Sequence, residues 1–294
     1  MQALIIGCGY LGRRVAALWR SRGHSVSALT RSDENAIALR SLGIQPIKGD
    51  VLRPESLSAL PQADVVLYAV GYDSRASASK EVVYVQGLAN VLREIGSRMG
   101  RLLYVSSTSV YGQDAGEWVD ERSACAPPTK SGQICLAAER VIREYVPPDD
   151  GRATILRFSG LYGPGRLLRR VESVRAAEPI QANPDAFLNL IHVDDGAGVI
   201  DQLVERGSRA AIYLVTDDQP VLRRAYYARL AELIGGPPPI FQPSAADLAS
   251  FNKRCSNARL RQELGDVLRF PNIDRGLPDA ITSESAGHPP SAAQ

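Results

Sequence analysis

Residues 130–142, KSGQICLAAERVI, set a hydroxyl, a thiol and a carboxylate in one row. Ser131, Cys135 and Glu139 are four apart, and Ile134, Ala137, Ala138, Val141 and Ile142 recur at helical spacing, so one helix carries all three. A hydroxyl is a candidate proton donor, but an aliphatic one is a poor acid without help. A thiol on an apolar-patterned helix reads as packing. Lys130, directly before Ser131, is the candidate ammonium for the same cleft.

A second cluster suggests different chemistry. GCGYLG places Gly7, Gly9 and Gly12 in GxGxxG spacing, with Tyr10 and Leu11 between the last two. It follows the apolar run ALIIG (3–7) and opens a helical pattern over 11–23. Glycines there permit a tight turn and close backbone approach to a pyrophosphate, which the helix N-terminus then attracts. The next strand (25–31) ends in Thr30 and Arg31, and Arg13 and Arg14 lie just past the loop. Arg suits a 2′-phosphate, so NADP is the expected cofactor. Asp33, two residues on, keeps NAD as the alternative.

Strand-length apolar runs alternate with helical patterns up to residue 163. Strands are expected at 3–7, 25–31, 45–50, 64–71, 101–107 and 153–163, and helices near 33–42, over 80–99 and over 130–142. Beyond 163 come an Arg-rich helix (164–179), a short strand and helix (190–207), a further strand, an amphipathic helix ending on Gly-Gly-Pro, and a last short helical unit, KRCSNARLRQELG. The polar, Pro-containing stretch 282–294 reads as a disordered tail. The expected fold class is α/β: a Rossmann-type doubly wound parallel sheet with a smaller C-terminal substrate-binding α/β region. Residues 1–163 would bind the dinucleotide, with a returning contribution from about 187–217, and 164–281 would mainly bind substrate.

A formal net charge of +2 on 294 residues gives no large field for nucleic acid or membrane. No segment reads as a signal peptide or a bilayer span. The four cysteines show no metal spacing with the three histidines, so no metal is expected and a reducing, cytoplasmic setting is.

The segments GCGYLGRRVA, GD (49–50), SSTSVYG (106–112), LRFSGLYGPGR (157–166), NLIHVDD (189–195) and YLVTDDQP (213–220) occur in an order that resembles the extended short-chain dehydrogenases, the NAD-dependent epimerase/dehydratase family. The resemblance implies that Asp50 and Val51 flank the adenine, and that Ala69, Val70 and Gly71 line the ribose. By it, Ser106 joins the cofactor set, and Phe158, Ser159 and Leu161 lie near the nicotinamide. Ser107 takes the family's Ser/Thr position. Tyr111 is a candidate for a substrate or proton role, and Tyr162, Arg166 and His192 for the substrate region. Asp194 and Asp195 are expected to cap the helix that follows them. The family's Tyr-x-x-x-Lys pair is missing: counting back from Ala-Ala-Glu puts Ser131 in the Tyr position and Cys135 in the Lys position. None of the four lysines, at 48, 80, 130 and 253, has a Tyr four residues before it. The chain thus resembles the atypical members that lack the pair.

Two readings follow. One is an oxidoreductase or epimerase-type enzyme acting on a small polar or sugar-nucleotide-like substrate, with Ser107, Tyr111, Lys130 and Ser131 as its acid/base candidates. The other is a catalytically silent NADP-binding sensor or scaffold. A homodimer is the assembly considered.

Overall fold

The structure, a computed structural model, describes residues 1–75, 77–248 and 251–285. In chain order it runs β1 (Gln2–Ile6), α1 (Tyr10–Ser21), β2 (Ser25–Thr30), α2 (Asp33–Ser41), β3 (Gln45–Lys48), β4 (Ala63–Tyr68), a π turn (Val82–Gln86), α3 (Gly87–Ile95), β5 (Met99–Ser107), β6 (Glu117–Val119), α4 (Lys130–Tyr145) and β7 (Ala153–Phe158). Then follow β8 (Gly160–Tyr162), α5 (Leu168–Arg175), β9 (Phe187–Leu188), β10 (Leu190–His192), α6 (Val193–Arg206), β11 (Ile212–Val215), β12 (Val221–Leu222), α7 (Arg223–Ile234), α8 (Ala245–Leu248), β13 (Lys253–Cys255), α9 (Ala258–Leu264) and α10 (Ile273–Ser285).

The chain divides into two compact units. The first comprises Met1–Val110, Cys125–Arg157 and Ala197–Tyr213. Its sheet runs β11-β7-β5-β4-β1-β2-β3 and its strands pair in parallel, the Rossmann-type doubly wound order. β1 is apolar along its length because helices cover both faces, so Ala3, Leu4, Ile5 and Ile6 are all buried. Around Leu4 and Ile6 pack Val66, Tyr68, Leu88, Val91, Leu102, Tyr104, Ala138 and Ile142.

The second unit comprises Tyr111–Ala124, Phe158–Gly196 and Leu214 onward. It holds three two-stranded pairings, β8 with β10, β9 with β12, and β6 with β13. Its core gathers Tyr162, Leu167, Val171, Leu190, Tyr226, Leu230, Ile273 and Leu277.

Four expected elements differ from the structure. The helix over 80–99 is helical from Lys80 but passes through a π turn before α3; Gly96, at φ +40°, ends α3, and Met99 pairs with Ala63 as the start of β5. The strand over 153–163 stops at Phe158, because β8 leaves the main sheet to pair with β10. KRC is strand rather than helix and pairs with β6. Residues 282–285, expected in the tail, finish α10, whose Leu277 and Ala280 are buried and hold the helix to its core. Residues 286–294 of that tail lie outside the described residues.

A buried ion pair ties α4 to the sheet. Arg157 on β7 donates to both oxygens of Glu139, from Nε at 3.0 Å and from a terminal nitrogen at 2.7 Å. Ser106 on β5 donates to the same carboxylate at 2.7 Å. Glu139 is 0% exposed and Arg157 2%. Removing one partner of such a pair typically costs about 3–5 kcal/mol, because the other charge stays buried and alone. Glu139→Ala is therefore expected to lower the unfolding free energy read from urea denaturation by that much, and Glu139→Met combined with Arg157→Leu to cost less than the single change. A Glu139→Ala protein as stable as its parent would show that the pair does not anchor α4.

Candidate functional site

The turn after β1 is set by backbone. Gly7 sits at φ +96°, and a Cβ there would lie 2.5 Å from the Ala69 carbonyl carbon and oxygen. Ala69 N–H donates to the Ile6 carbonyl at 2.7 Å, so the loop passes directly over the end of β4. Gly9 begins α1 with no side-chain cap, and the first turn holds no acidic residue. The first helical bond is Arg13 N–H to the Gly9 carbonyl at 3.0 Å. The N–H groups of Tyr10, Leu11 and Gly12 thus form the positive end of the helix, a donor set that fits a pyrophosphate. Burial pushes the Cys8 thiol up to about 12, so it stays neutral within this turn.

The expected ribose and adenine residues lie at the ends of neighbouring strands. Thr30 is buried, and its carbonyl accepts from Gly49 N–H at 3.0 Å. Arg31 next to it is exposed. Asp33, the acid that would suit NAD, is paired with Lys48 at 2.8 Å. Arg14 donates to the Tyr10 carbonyl and stacks on the Tyr10 ring, 4.4 Å from its centroid. Asp50 accepts from Leu52 N–H at 2.9 Å, and the Val51 carbonyl accepts from the Asn90 amide at 3.0 Å. Val70 is half-buried and Gly71 exposed in the loop after β4.

The corner between β5 and α4 holds the acid/base candidates of this unit. The Ser106 hydroxyl is committed to Glu139. Ser107 Oγ accepts from Ser109 N–H at 3.1 Å. Thr129 caps α4 by accepting from Gly132 N–H at 3.2 Å. Gly132 lies so near Ser109 that a Cβ would overlap its carbonyl oxygen, which starts α4 against the 107–109 segment. Ser131 is exposed there, while Cys135, one turn on, is buried. Lys130 points away, its side chain 70% exposed and its ammonium 2.8 Å from Glu81. The ammonium that meets Ser131 belongs to Lys80: Nζ donates to Oγ at 2.5 Å. Lys80 Nζ also lies 5.1 Å from the centroid of the Tyr84 ring. Burial raises the Tyr84 phenol above its ordinary value and the neighbouring Cys135 adds to the shift; a hydrogen bond from Tyr72 N–H opposes them.

Lys80 and Tyr84 escape a search for Tyr-x-x-x-Lys because their order is reversed. KEVVY carries the same two side chains at the same spacing, and that was the available signal.

In the second unit Tyr111 is fully buried, and its carbonyl accepts from Lys253 Nζ at 3.3 Å. Phe158 and Ser159 are buried and Leu161 half-buried; Ser159 N–H donates to the Val215 carbonyl. Arg166 is exposed on the turn after β8, its N–H donating to the Gly163 carbonyl. Tyr162 and His192 meet edge-on, ring centroids 5.2 Å apart, and Phe270 lies 4.1 Å from His192 on another side. His192 is 0% exposed, with Asp279 3.5 Å from Nε2 and Asp194 N–H donating to Nδ1. Asp195 does not cap α6. It lies inside the first turn and accepts from Arg269 and Phe270 N–H, each at 2.8 Å, fastening the segment before α10.

With this geometry stand the comparisons. The sequence profile of the NAD dependent epimerase/dehydratase family matches residues 3–215, and the chain belongs to that family. Its class is that of nicotinamide-dinucleotide-dependent oxidoreductases and epimerases built on the short-chain dehydrogenase fold. It is similar to protein YeeZ of Escherichia coli, 29% identical over 279 residues that cover 91% of this chain and 96% of the relative. The solved structure of a putative NAD-dependent epimerase/dehydratase from Methylobacillus flagellatus is 34% identical, covers 97% of this chain and 98% of its own, and superposes with a TM-score of 0.79. The 4-hydroxy-2-methyl-3-oxo-4-farnesyl-3,4-dihydroquinoline-1-oxide ketoreductase of Stigmatella aurantiaca is 27% identical over 245 residues, 78% of this chain and 72% of the relative. Among the described residues no helix is long and apolar enough to cross a membrane.

One carboxyl outside the expected set is strongly shifted. Asp217, 1% exposed at the end of β11, is pushed up to about 8, chiefly by burial, with the charges of Asp218 and Asp195 adding to it against a hydrogen bond from Gln219 N–H. The fold then holds a proton that the unfolded chain releases above about pH 4. This contribution to stability is intact below about pH 4, declines as pH rises toward the native value, and is lost above it. Asp217→Asn is expected to raise Tm over the parent little at about pH 4 and most above about pH 8. Parallel Tm profiles for the two proteins would show that Asp217 is not held neutral.

Proposed function

We propose that this chain is an NADPH-dependent reductase of a carbonyl in a small polar substrate. The observation that carries the cofactor choice is the pairing at the tip of β2: Asp33 is tied to Lys48 while Arg31 stands exposed beside the uncapped start of α1. A guanidinium there suits a 2′-phosphate, which an unpaired carboxylate would repel. Gly7, Gly9 and Gly12, with the N–H groups of Tyr10 and Leu11, would hold the pyrophosphate. Thr30 and Arg31 would hold the adenosine ribose, Asp50 and Val51 the adenine, and Ala69 to Gly71 the second ribose. Ser106 would support this wall through its backbone, since its hydroxyl is engaged; Phe158, Ser159 and Leu161 would border the nicotinamide.

Bound NADPH supplies a hydride to a carbonyl carbon, and the oxygen then requires a proton. Ser107 and Ser131 offer hydroxyls for orienting that oxygen and supplying the proton. Tyr111 is fully buried and better suited to shaping the pocket. Tyr162, Arg166 and His192 would contribute to substrate binding. Reduction rather than epimerisation is supported by the ketoreductase relative. A silent sensor is the weaker reading, because an ammonium and a hydroxyl are still brought together at the β5–α4 corner. A cytoplasmic location fits four cysteines that form no disulfide. The homodimer belongs to the same proposal and is read by sedimentation.

Calorimetric titration tests the reading. NADPH is expected to bind about tenfold or more tightly than NADH, one charge-assisted contact being worth roughly 1.5–3 kcal/mol. Arg31→Ala should erase most of that ratio. Gly9→Val should abolish binding of both in a protein that remains folded by circular dichroism. Tighter NADH binding, or an unchanged ratio in Arg31→Ala, would remove NADP. Retained affinity in folded Gly9→Val would remove the dinucleotide site.

A further inference from the structure

The family's acid/base pair is absent from α4, yet its two components, an ammonium and a phenol four residues apart, stand against α4 from the adjoining segment. Lys80 lies in the helical turn that leads into the π turn, and Tyr84 lies within the π turn itself. The π turn is closed by Gly87 N–H on the Val82 carbonyl, five residues back. Such turns are rare, cost hydrogen-bond geometry and occur frequently at functional sites. The extra residue rotates whatever precedes it by about 100° relative to α3, since one residue is 1/3.6 of a turn.

The consequence is specific. Lys80 Nζ donates to Ser131 Oγ, the atom that occupies the missing Tyr position. Tyr84 lies beside Cys135, the residue in the missing Lys position. The Tyr84 ring also faces the Lys80 ammonium at 5.1 Å, which holds the charge in place by cation–π attraction. The phenol itself is tied to Tyr72 N–H in the loop after β4.

We propose that Lys80 and Ser131 form a proton relay that replaces the absent Tyr/Lys pair, with Tyr84 positioning the Lys80 ammonium. The proposal rests on the reductase reading. The carbonyl carbon gains the hydride and its electron pair, the C=O π bond breaks, and the cofactor is oxidised. The carbonyl oxygen takes the Ser131 proton, Ser131 Oγ takes one from Lys80, and Lys80 is recharged from solvent. The product is an alcohol. An aliphatic hydroxyl is too weak an acid to release a proton alone, and simultaneous replacement from an ammonium removes that obstacle.

The test uses the full chain, with diacetyl as the carbonyl probe and acetic anhydride labelling of lysines read by mass spectrometry. In the folded parent without cofactor, Lys80 should be acetylated more slowly than Lys130, and Ser131→Ala should speed Lys80 selectively. Lys80→Met and Ser131→Ala should each lower kcat about 10²-fold while KM and the calorimetric affinity for NADPH change little. The double variant should fall no further, because two groups acting as one unit are not additive. Lys80→Arg, which keeps the charge but not a transferable proton, should recover little of the loss, whereas methylammonium should partly rescue Lys80→Met. Tyr84→Leu should lower kcat less than Lys80→Met. An unchanged kcat in folded Lys80→Met, or Lys80 labelled as fast as Lys130 and indifferent to Ser131→Ala, would overturn the relay. A parent that fails to bind NADPH would instead overturn the reductase reading. If diacetyl is not turned over, an absent labelling contrast overturns the relay, and a present one supports the Lys80–Ser131 contact on which the relay depends.

Discussion

The contact between Glu139 and Arg157 sets the geometry of the β5–α4 corner. Two charges removed from water cost several kcal/mol each, and they persist only when their mutual bonding is nearly complete. Here Glu139 Oε1 receives Ser106 and Arg157 Nε, and Oε2 receives a second guanidinium nitrogen. Three elements thereby share one carboxylate, and the rotation of α4 about its own axis is fixed. Side chains four apart follow one another along a helix face. With Glu139 pointed inward, Cys135 must face the core and Ser131 must emerge at the helix start.

Placing Ser131 at that end exposes it, and an exposed serine has no chemistry of its own. What changes its character is the close start of α4 on Ser109, which only a residue without Cβ allows at Gly132, and the arrival of Lys80 from the segment before α3. The buried pair supplies direction, the glycine supplies distance and the π turn supplies charge. Together they put an ammonium, a hydroxyl and the 107–109 segment at one corner of the first unit.

Much of this was legible in the sequence. The strand and helix order of the first unit follows from apolar runs of strand length between helical patterns, and the Gly loop was readable because strand, spacing and helix all agreed around it. Other features depend on partners distant along the chain. Nothing local in KRC distinguishes strand from helix; β6 decides it. NIDRGLPDAITSES carries Gly276 and Pro278, both helix breakers by propensity, yet burial of Leu277 and Ala280 makes it α10. The corner was half legible. The spacing places Ser131 and Cys135 on one helix face, but which lysine meets Ser131 is not legible, because adjacency in sequence is a poor guide to which side a helical side chain faces. Consecutive residues on a helix differ by about 100°, so Lys130 and Ser131 point apart. In turn, Glu139 looked like the third member of a chemical row and is the buried anchor of the helix instead.

The two halves of the family's machinery also differ in what can be lost. The expected cofactor half is written largely in backbone: the φ of Gly7, the N–H groups at the start of α1 and the close passage of residues 6–7 over Ala69. Side-chain substitution leaves such a site almost intact, and the dinucleotide-binding architecture therefore survives in a chain that lacks Tyr-x-x-x-Lys. The acid/base half is written in side chains on a single helical turn, where two substitutions erase it. A positive charge can nevertheless reach the same hydroxyl from any neighbouring segment, because electrostatic attraction and a hydrogen bond require only proximity of the end groups, not a shared helix. Lysine suits that task better than arginine: its flexible stem delivers a compact charge that can both donate a proton and be recharged, whereas a guanidinium keeps its proton at any physiological pH. With only four lysines against thirty arginines in the chain, a lysine at the one place where α4 lacks its own is the economical solution to a missing ammonium.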